Sequence, residues 1–204
     1  MILTDPESIA ALELRSVPAG LAVLDAVVKE ATVRVRHAGD IDPGRWLIVF
    51  DGPLADVEVA LAKGTEAGGD DLLETLLLPA AHVTLRAALQ GNFASPAKTA
   101  AAEQALGAIE CHTVLATLAA TDRALKAAEV GLLRLRLATH VGGTGHAVFA
   151  GEQFDVEAAL EAARDGAESG VAVTTRLVAR AALETVRAAA QRQAGAQPLR
   201  PLDA

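Results

Sequence analysis

The chain repeats itself, and no other feature of the sequence narrows the possible folds as much. Asp25-Ala-Val-Val-Lys-Glu-Ala-Thr-Val33 lies over Asp122-Arg-Ala-Leu-Lys-Ala-Ala-Glu-Val130 at an offset of 97 residues, with Asp, Lys, Ala and Val shared in place. Gly52-Pro-Leu-Ala-Asp-Val-Glu-Val-Ala-Leu61 lies over Gly151-Glu-Gln-Phe-Asp-Val-Glu-Ala-Ala-Leu160 at an offset of 99, with six of ten residues identical. Upstream, Ile9-Ala-Ala-Leu-Glu-Leu14 matches Leu106-Gly-Ala-Ile-Glu-Cys111. The order of elements is therefore the same in both halves, and the length difference falls in a loop between the matched segments.

Periodicity gives each half the same reading. Ala10 to Arg15 and Gly107 to His112 alternate as strands with one covered face. A helix follows, with Pro18 suited to its first turn and Leu21, Leu24 and Val28 spaced as one apolar stripe; Leu115, Leu118, Ala119 and Leu125 do the same in the second half. Val33-Arg-Val-Arg36 and Leu133-Arg-Leu-Arg-Leu137 alternate as half-buried strands, then a polar, Gly-containing loop leads to Trp46–Phe50 or Ala147–Ala150. Gly52 and Gly151 open a second amphipathic helix, and Leu72–Leu78 or Val171–Arg176 closes the sheet. The expected fold is α+β: two tandem ferredoxin-like β-α-β-β-α-β units in unpermuted order, each with an extra C-terminal helix. The expected divisions are a first unit over 1–91, a linker over 92–104 with Ser95 and Pro96, a second unit over 105–194, and a flexible tail over 195–204.

Composition excludes several classes. Apolar residues make up 51% of the chain, too much for a disordered protein, while aromatics make up 2%, so Ala, Val and Leu must build the core. A net charge of −8 with no basic stripe argues against nucleic acid as a partner. The only cysteine, Cys111, permits neither an internal disulfide nor a multi-cysteine metal site, and fits a reducing, cytoplasmic setting. Asp5 and Glu7 stand where a signal peptide would be basic, and no apolar run reaches the roughly 18 residues of a membrane span, so neither secretion nor a membrane partner is expected.

Ala105-Leu-Gly-Ala-Ile-Glu110 followed by Asp122-Arg-Ala-Leu-Lys-Ala-Ala-Glu-Val130 resembles the first strand and helix of bacterial microcompartment shell proteins of the tandem-domain, trimer-forming class. The first copy has Ala10 for the Gly and Lys29-Glu-Ala31 for Lys-Ala-Ala, but keeps the Asp and Lys. Leu78-Pro-Ala-Ala-His82 has the proline and histidine of the family's segment after the last strand, without its arginine. The likeness covers nearly the whole chain. It implies a homotrimer, a pseudohexameric tile meeting other shell tiles, hexameric and pentameric, and the encapsulated enzymes. It also implies a structural role and no catalytic residue.

On this resemblance the loops after the second strand of each unit line a central pore for metabolites: Ile41, Asp42, Pro43 and Gly44 in the first, His140, Val141, Gly142 and Gly143 in the second. Asp42, with Asp40, would then favour cations over anions at the opening, and His140 would add a pH-dependent charge. Read from the residues alone, the same loops are ordinary hairpin connections. Lys29 and Lys126, which complement the negative ends of their helices, become tile-edge assembly residues on the resemblance, as does His82. Some tandem shell proteins hold an iron–sulfur cluster through pore cysteines; Cys111 belongs to a strand, so no cofactor is expected.

Other chemistry is weakly signalled. His37, His82, His112, His140 and His146 show no metal-ligand spacing. Gly142-Gly-Thr-Gly145 lacks the Lys-Ser/Thr of a phosphate loop, and there is no G-x-S-x-G elbow. Glu13 and Glu110, and Asp25 and Asp122, hold matching positions, which favours structural over acid–base roles. A soluble ferredoxin-like regulator or enzyme that binds a small molecule stays open as the alternative.

Overall fold

The structure, a computed structural model, describes residues 8–94, 104–137, 142–165 and 172–191. The first unit comprises β1 (Ser8–Leu14), α1 (Val17–Glu30), β2 (Arg34–Ile41), β3 (Arg45–Gly52), α2 (Leu54–Gly68) and β4 (Leu72–Leu78). After α3 (Val83–Leu89), the second comprises β5 (Ala105–Cys111), α4 (Val114–Ala127), β6 (Gly131–Leu137), β7 (Gly145–Gly151), α5 (Gln153–Asp165), β8 (Val173–Val178) and α6 (Leu183–Ala190). The sheets are antiparallel, ordered β2-β3-β1-β4 and β6-β7-β5-β8. That is the ferredoxin-like order the duplicated β-α-β-β-α-β pattern predicts. The compact units divide at Val83 and Thr84, so α3 groups with the second unit, where the sequence reading drew its boundary at residue 91. The segment after α3 is tied there by Ala94 N–H donating to the Leu132 carbonyl at 2.9 Å. Most of the expected linker, and the tail from Gly195, lie outside the described residues.

Matched local chemistry starts matched helices. Ser16 and Thr113 are the N-caps of α1 and α4, accepting from Ala19 N–H at 3.4 Å and Ala116 N–H at 3.1 Å. In the first unit, Ala10, Leu12 and Leu14 of β1 point toward the helices and meet Val23, Val27, Ile48, Phe50, Val57 and Ala60. Each large apolar side chain buried there contributes about 1.5–3 kcal/mol. Small residues set how closely helix and sheet approach. A Cβ on Gly20 of α1 would lie 2.1 Å from Trp46 Cγ of β3, whereas at the equivalent pair of the second unit a Cβ on Gly145 of β7 would lie 2.3 Å from Thr117 Oγ1 of α4. The same crossing is filled from the strand in one unit and from the helix in the other.

Two expectations need correction. The stripe Leu21, Leu24, Val28 exists, but it is not the face α1 buries; Gly20, Val23 and Val27 are buried, and Leu21 and Val28 are exposed. In α4 the stripe of Leu115, Leu118 and Leu125 is buried along with the inner face. Strict alternation in the second strand also fails. A bulge shifts the register between Val35 and His37 and, at the matching place, between Leu132 and Arg134. The extra residue, Leu133, joins Leu106, Ala150 and Val186 of α6 on the sheet face away from α4 and α5, and Arg136 is buried despite the alternation.

Candidate functional site: hairpin ends and outer surfaces

The β2–β3 connection is a tight turn. Gly44 N–H donates to the Ile41 carbonyl at 3.0 Å, Gly44 has φ +84°, and the Asp42–Pro43 peptide bond is cis. Ile41 closes β2 and is buried, whereas Pro43 and Gly44 are exposed and Asp42 is partly so. The expected loop therefore offers one carboxylate, a proline and a glycine whose positive φ suits a residue without Cβ. In the β6–β7 connection Gly142 (φ +66°) and Gly143 (φ +87°) make the turn, and His140 and Val141 lie outside the described residues.

Lys29 and Lys126 occupy matching exposed positions near the ends of α1 and α4. Each is anchored one turn back, Lys29 to Asp25 at 2.6 Å and Lys126 to Asp122 at 2.5 Å. The Asp-x-x-x-Lys spacing is thus an i,i+4 ion pair that fixes where each ammonium sits. Asp25 is exposed and Asp122 is buried. His82, half-buried, immediately precedes α3. Cys111 is buried at the end of β5.

The sheet faces away from α1, α2, α4 and α5 carry the charged residues that periodicity did not single out. In the first unit Ala11, Glu13, Leu47, Val49 and Asp51 of this face are buried, and the arginines around them reach outward. Asp51 accepts from Arg34 Nε at 2.9 Å and Arg36 Nε at 2.5 Å, and Glu13 accepts from Arg45 at 2.6 Å. His37 lies beside them with a buried, unpartnered Nε2; burial lowers its imidazole to about 4, against the weaker opposing pull of Asp40. The second unit's face differs. Ala108, Glu110, Thr174 and Arg176 are exposed, and Arg134, His146 and Val148 are half-exposed. Burial holds His146 below the ordinary histidine value, helped by Arg134 and Arg136 and opposed by Glu110. Matching placement gave Glu13 and Glu110 one structural role; Glu13 is buried in an ion pair and Glu110 is exposed. The clue to these faces was available in Arg34-x-Arg36 and Arg134-x-Arg136, once strand pairing placed them opposite Asp51 and His146.

Among the described residues, no three His, Cys, Asp or Glu side chains converge to hold a metal ion. A cleft of about 480 Å³ between α5 and β8 is lined by Glu157, Glu161, Arg164 and Arg176 with Leu160, Thr175 and Leu177, an open, charge-balanced groove at a sheet edge. No helix among the described residues is long and apolar enough to cross a membrane.

The BMC domain matches the chain twice, over residues 8–81 and 105–181. The chain belongs to the BMC-domain family of bacterial microcompartment shell proteins. It is 34% identical over 175 residues to the bacterial microcompartment shell protein PduT of Citrobacter freundii, covering 85% of this chain and 92% of that one. Among solved structures, a microcompartment protein from Desulfitobacterium hafniense DCB superposes with a TM-score of 0.70 at 25% identity, covering 83% of this chain and 94% of that one. The fused, permuted hexameric shell protein MSM0275 of the RMM microcompartment shares the fold, with a TM-score of 0.55 at 22% identity and coverage of 80% and 82%. In this shell protein the two BMC domains coincide with the two sheets described above, in the unpermuted order.

Proposed function

We propose that three chains close into a ring of six BMC domains, a pseudohexameric tile of a microcompartment shell, and that the tile is structural and not catalytic. The observation that carries this reading is the double match to the BMC domain on two sheets of identical strand order. Each chain then fills two equivalent places around an axis, and closed cyclic symmetry is the usual outcome of a repeated head-to-tail contact. The β2–β3 and β6–β7 turns are at corresponding ends of the two units, which supports their facing a common opening. Asp42 would be repeated in each chain around that opening, and Pro43 and the glycines Gly44, Gly142 and Gly143 would allow close approach to the axis. Lys29 and Lys126, each held in place by an aspartate, would meet neighbouring tiles of the same or other shell proteins, with His82 at the same rim. The tile would sit in the shell around encapsulated enzymes.

Solution mass and electron microscopy test the two levels separately. The purified protein should have the mass of three chains and form extended sheets, alone or with partner tiles. Lys29→Ala with Lys126→Ala should preserve the three-chain mass and abolish sheets; a single-chain mass for the unmodified protein would reject the tile.

A further inference from the structure

The two copies match closely enough to be compared position by position, and the comparison isolates one surface that the second has and the first lacks. On α5, Phe154, Glu157, Glu161 and Arg164 recur at spacings of three, four and three, so they share one helix face. The matched residues of α2 are Ala55, Glu58, Ala62 and Thr65. On β8, Arg176 stands opposite Ala108, whereas Leu76 of β4 stands opposite the matching Ala11. Glu161, Arg164 and Arg176 line the cleft of about 480 Å³, and Phe154, 69% exposed, lies two turns from Glu161 along the same face. An aromatic ring, a second carboxylate and two guanidinium groups have thus replaced small or uncharged side chains around one groove.

These charges are not spent on one another. Gln153 donates to Glu157 at 2.8 Å, but among the described residues Glu161, Arg164 and Arg176 make no ion pair. Nor does edge protection account for them. Charge on an edge strand discourages pairing with other chains, yet β4, with Leu72, Leu73, Leu76, Leu77 and Leu78, has more need of it than β8 and carries only Glu74. Among the described residues no strand lies beside β8 on the side away from β5. Alternate backbone N–H and C=O groups therefore point outward along the rim of the cleft.

The dimensions suit an added strand. Phe154 and Arg164 are ten residues apart on α5, which is about 15 Å on a helix. Residues i and i+4 of a strand, which face the same way, are about 13 Å apart. Because β7 and β8 are both antiparallel to β5, α5 runs back against β8, which brings Phe154 toward the exposed Val178 and Arg164 toward Val173. We propose that the groove between α5 and β8 docks an extended segment of another protein, which adds to β8 as a fifth strand. It would set an apolar side chain at Phe154, a basic one at Glu157 and Glu161 and an acidic one at Arg164, at its positions i, i+2 and i+4. This chain does not supply that segment itself. Of its Lys and Arg residues only Arg15 has a carboxylate two positions away, and Glu13-Leu-Arg15 is held in and beside β1. The site is complete within one chain, so it goes beyond the tile reading and does not depend on it.

Fluorescence anisotropy of a fluorescein-labelled peptide, Thr-Val-Thr-Lys-Thr-Glu-Thr, titrated with the full chain, tests the groove. Binding should saturate, and a peptide with its Lys and Glu exchanged should bind at least roughly tenfold more weakly. The triple variant Glu157→Lys, Glu161→Lys, Arg164→Glu, shown by circular dichroism to be folded, should reverse that preference. N-methylation of one alternate set of peptide amides should abolish binding and of the other set should spare it, as pairing along a single edge requires. No saturable binding, no preference between the peptides, or equal effects of the two methylation patterns would overturn the proposal. So would light scattering that gives the unmodified protein twice the mass of the triple variant, because a second copy of the chain would then occupy β8. None of these outcomes bears on the tile, which stands or falls on the three-chain mass.

Discussion

Replacing Gly20 by Ala sets a favourable helix substitution against an unfavourable contact, and the geometry decides the sign. Ala is about 1 kcal/mol better than Gly in a helix interior. The added methyl would lie 2.1, 2.2 and 2.7 Å from Trp46 Cγ, Cδ1 and Cβ. A change of rotamer can move the indole, but Cβ is fixed to the β3 backbone, so α1 must move away from the sheet. Carbon atoms pack at about 3.5–4.0 Å, which requires a shift of roughly 1 Å, enough to forfeit a quarter to a half of each dispersion contact across the gap. Val23 and Val27 face Leu12, Ile48 and Phe50 across that gap. Overpacking of this kind costs about 1–3 kcal/mol, occasionally more, so after the propensity gain of about 1 kcal/mol we expect Gly20→Ala to lose about 1 kcal/mol net. Trp46 is the only tryptophan, so its fluorescence in urea reports the first unit directly. At fixed protein concentration the midpoint should fall with an unchanged slope. A midpoint that rises, as helix propensity alone would give, refutes the argument. Importing the second unit's solution, Gly20→Thr with Trp46→Gly, should then be non-additive by more than about 1 kcal/mol when followed by circular dichroism.

Removing Asp51 should cost about 3–5 kcal/mol, because Asp51→Ala strands the mostly buried Arg36, whereas Arg34→Ala, at a half-exposed partner of the same carboxylate, should cost under about 1 kcal/mol; equal urea midpoints for the two would contradict this ordering. His37 titrates near 4 in the fold against 6.5 ordinarily, so the unfolded chain takes up its proton first. Its contribution is complete above the unfolded value, is lost as pH falls from about 6.5 toward 4, and reaches about 3 kcal/mol at most. His37→Gln should remove that part of the slope in urea titrations between these limits, and an unaltered slope would assign it elsewhere. Asp42→Asn in assembled shells should raise entry of anionic metabolites by roughly tenfold, the low end of electrostatic focusing, and unchanged flux would remove Asp42 from the pore.

The fold was legible because the repeat doubles every weak signal. Ser16 and Thr113 both cap, the Asp-x-x-x-Lys pair recurs, and turn glycines recur at the same joints. What the sequence hid was which apolar face points where. Leu21, Leu24 and Val28 satisfy the helical period as well as Gly20, Val23 and Val27 do, and the smaller set is buried because α1 must approach Trp46 closely. Hydrophobicity ranks the stripes the wrong way round; close packing ranks them correctly. The bulges were hidden for a related reason, since alternation in Leu133-Arg-Leu-Arg-Leu137 reads as one regular strand until Leu133 is seen packed with Val186. The hairpin turns were readable from Pro and Gly alone, yet the charged sheet faces required the pairing register.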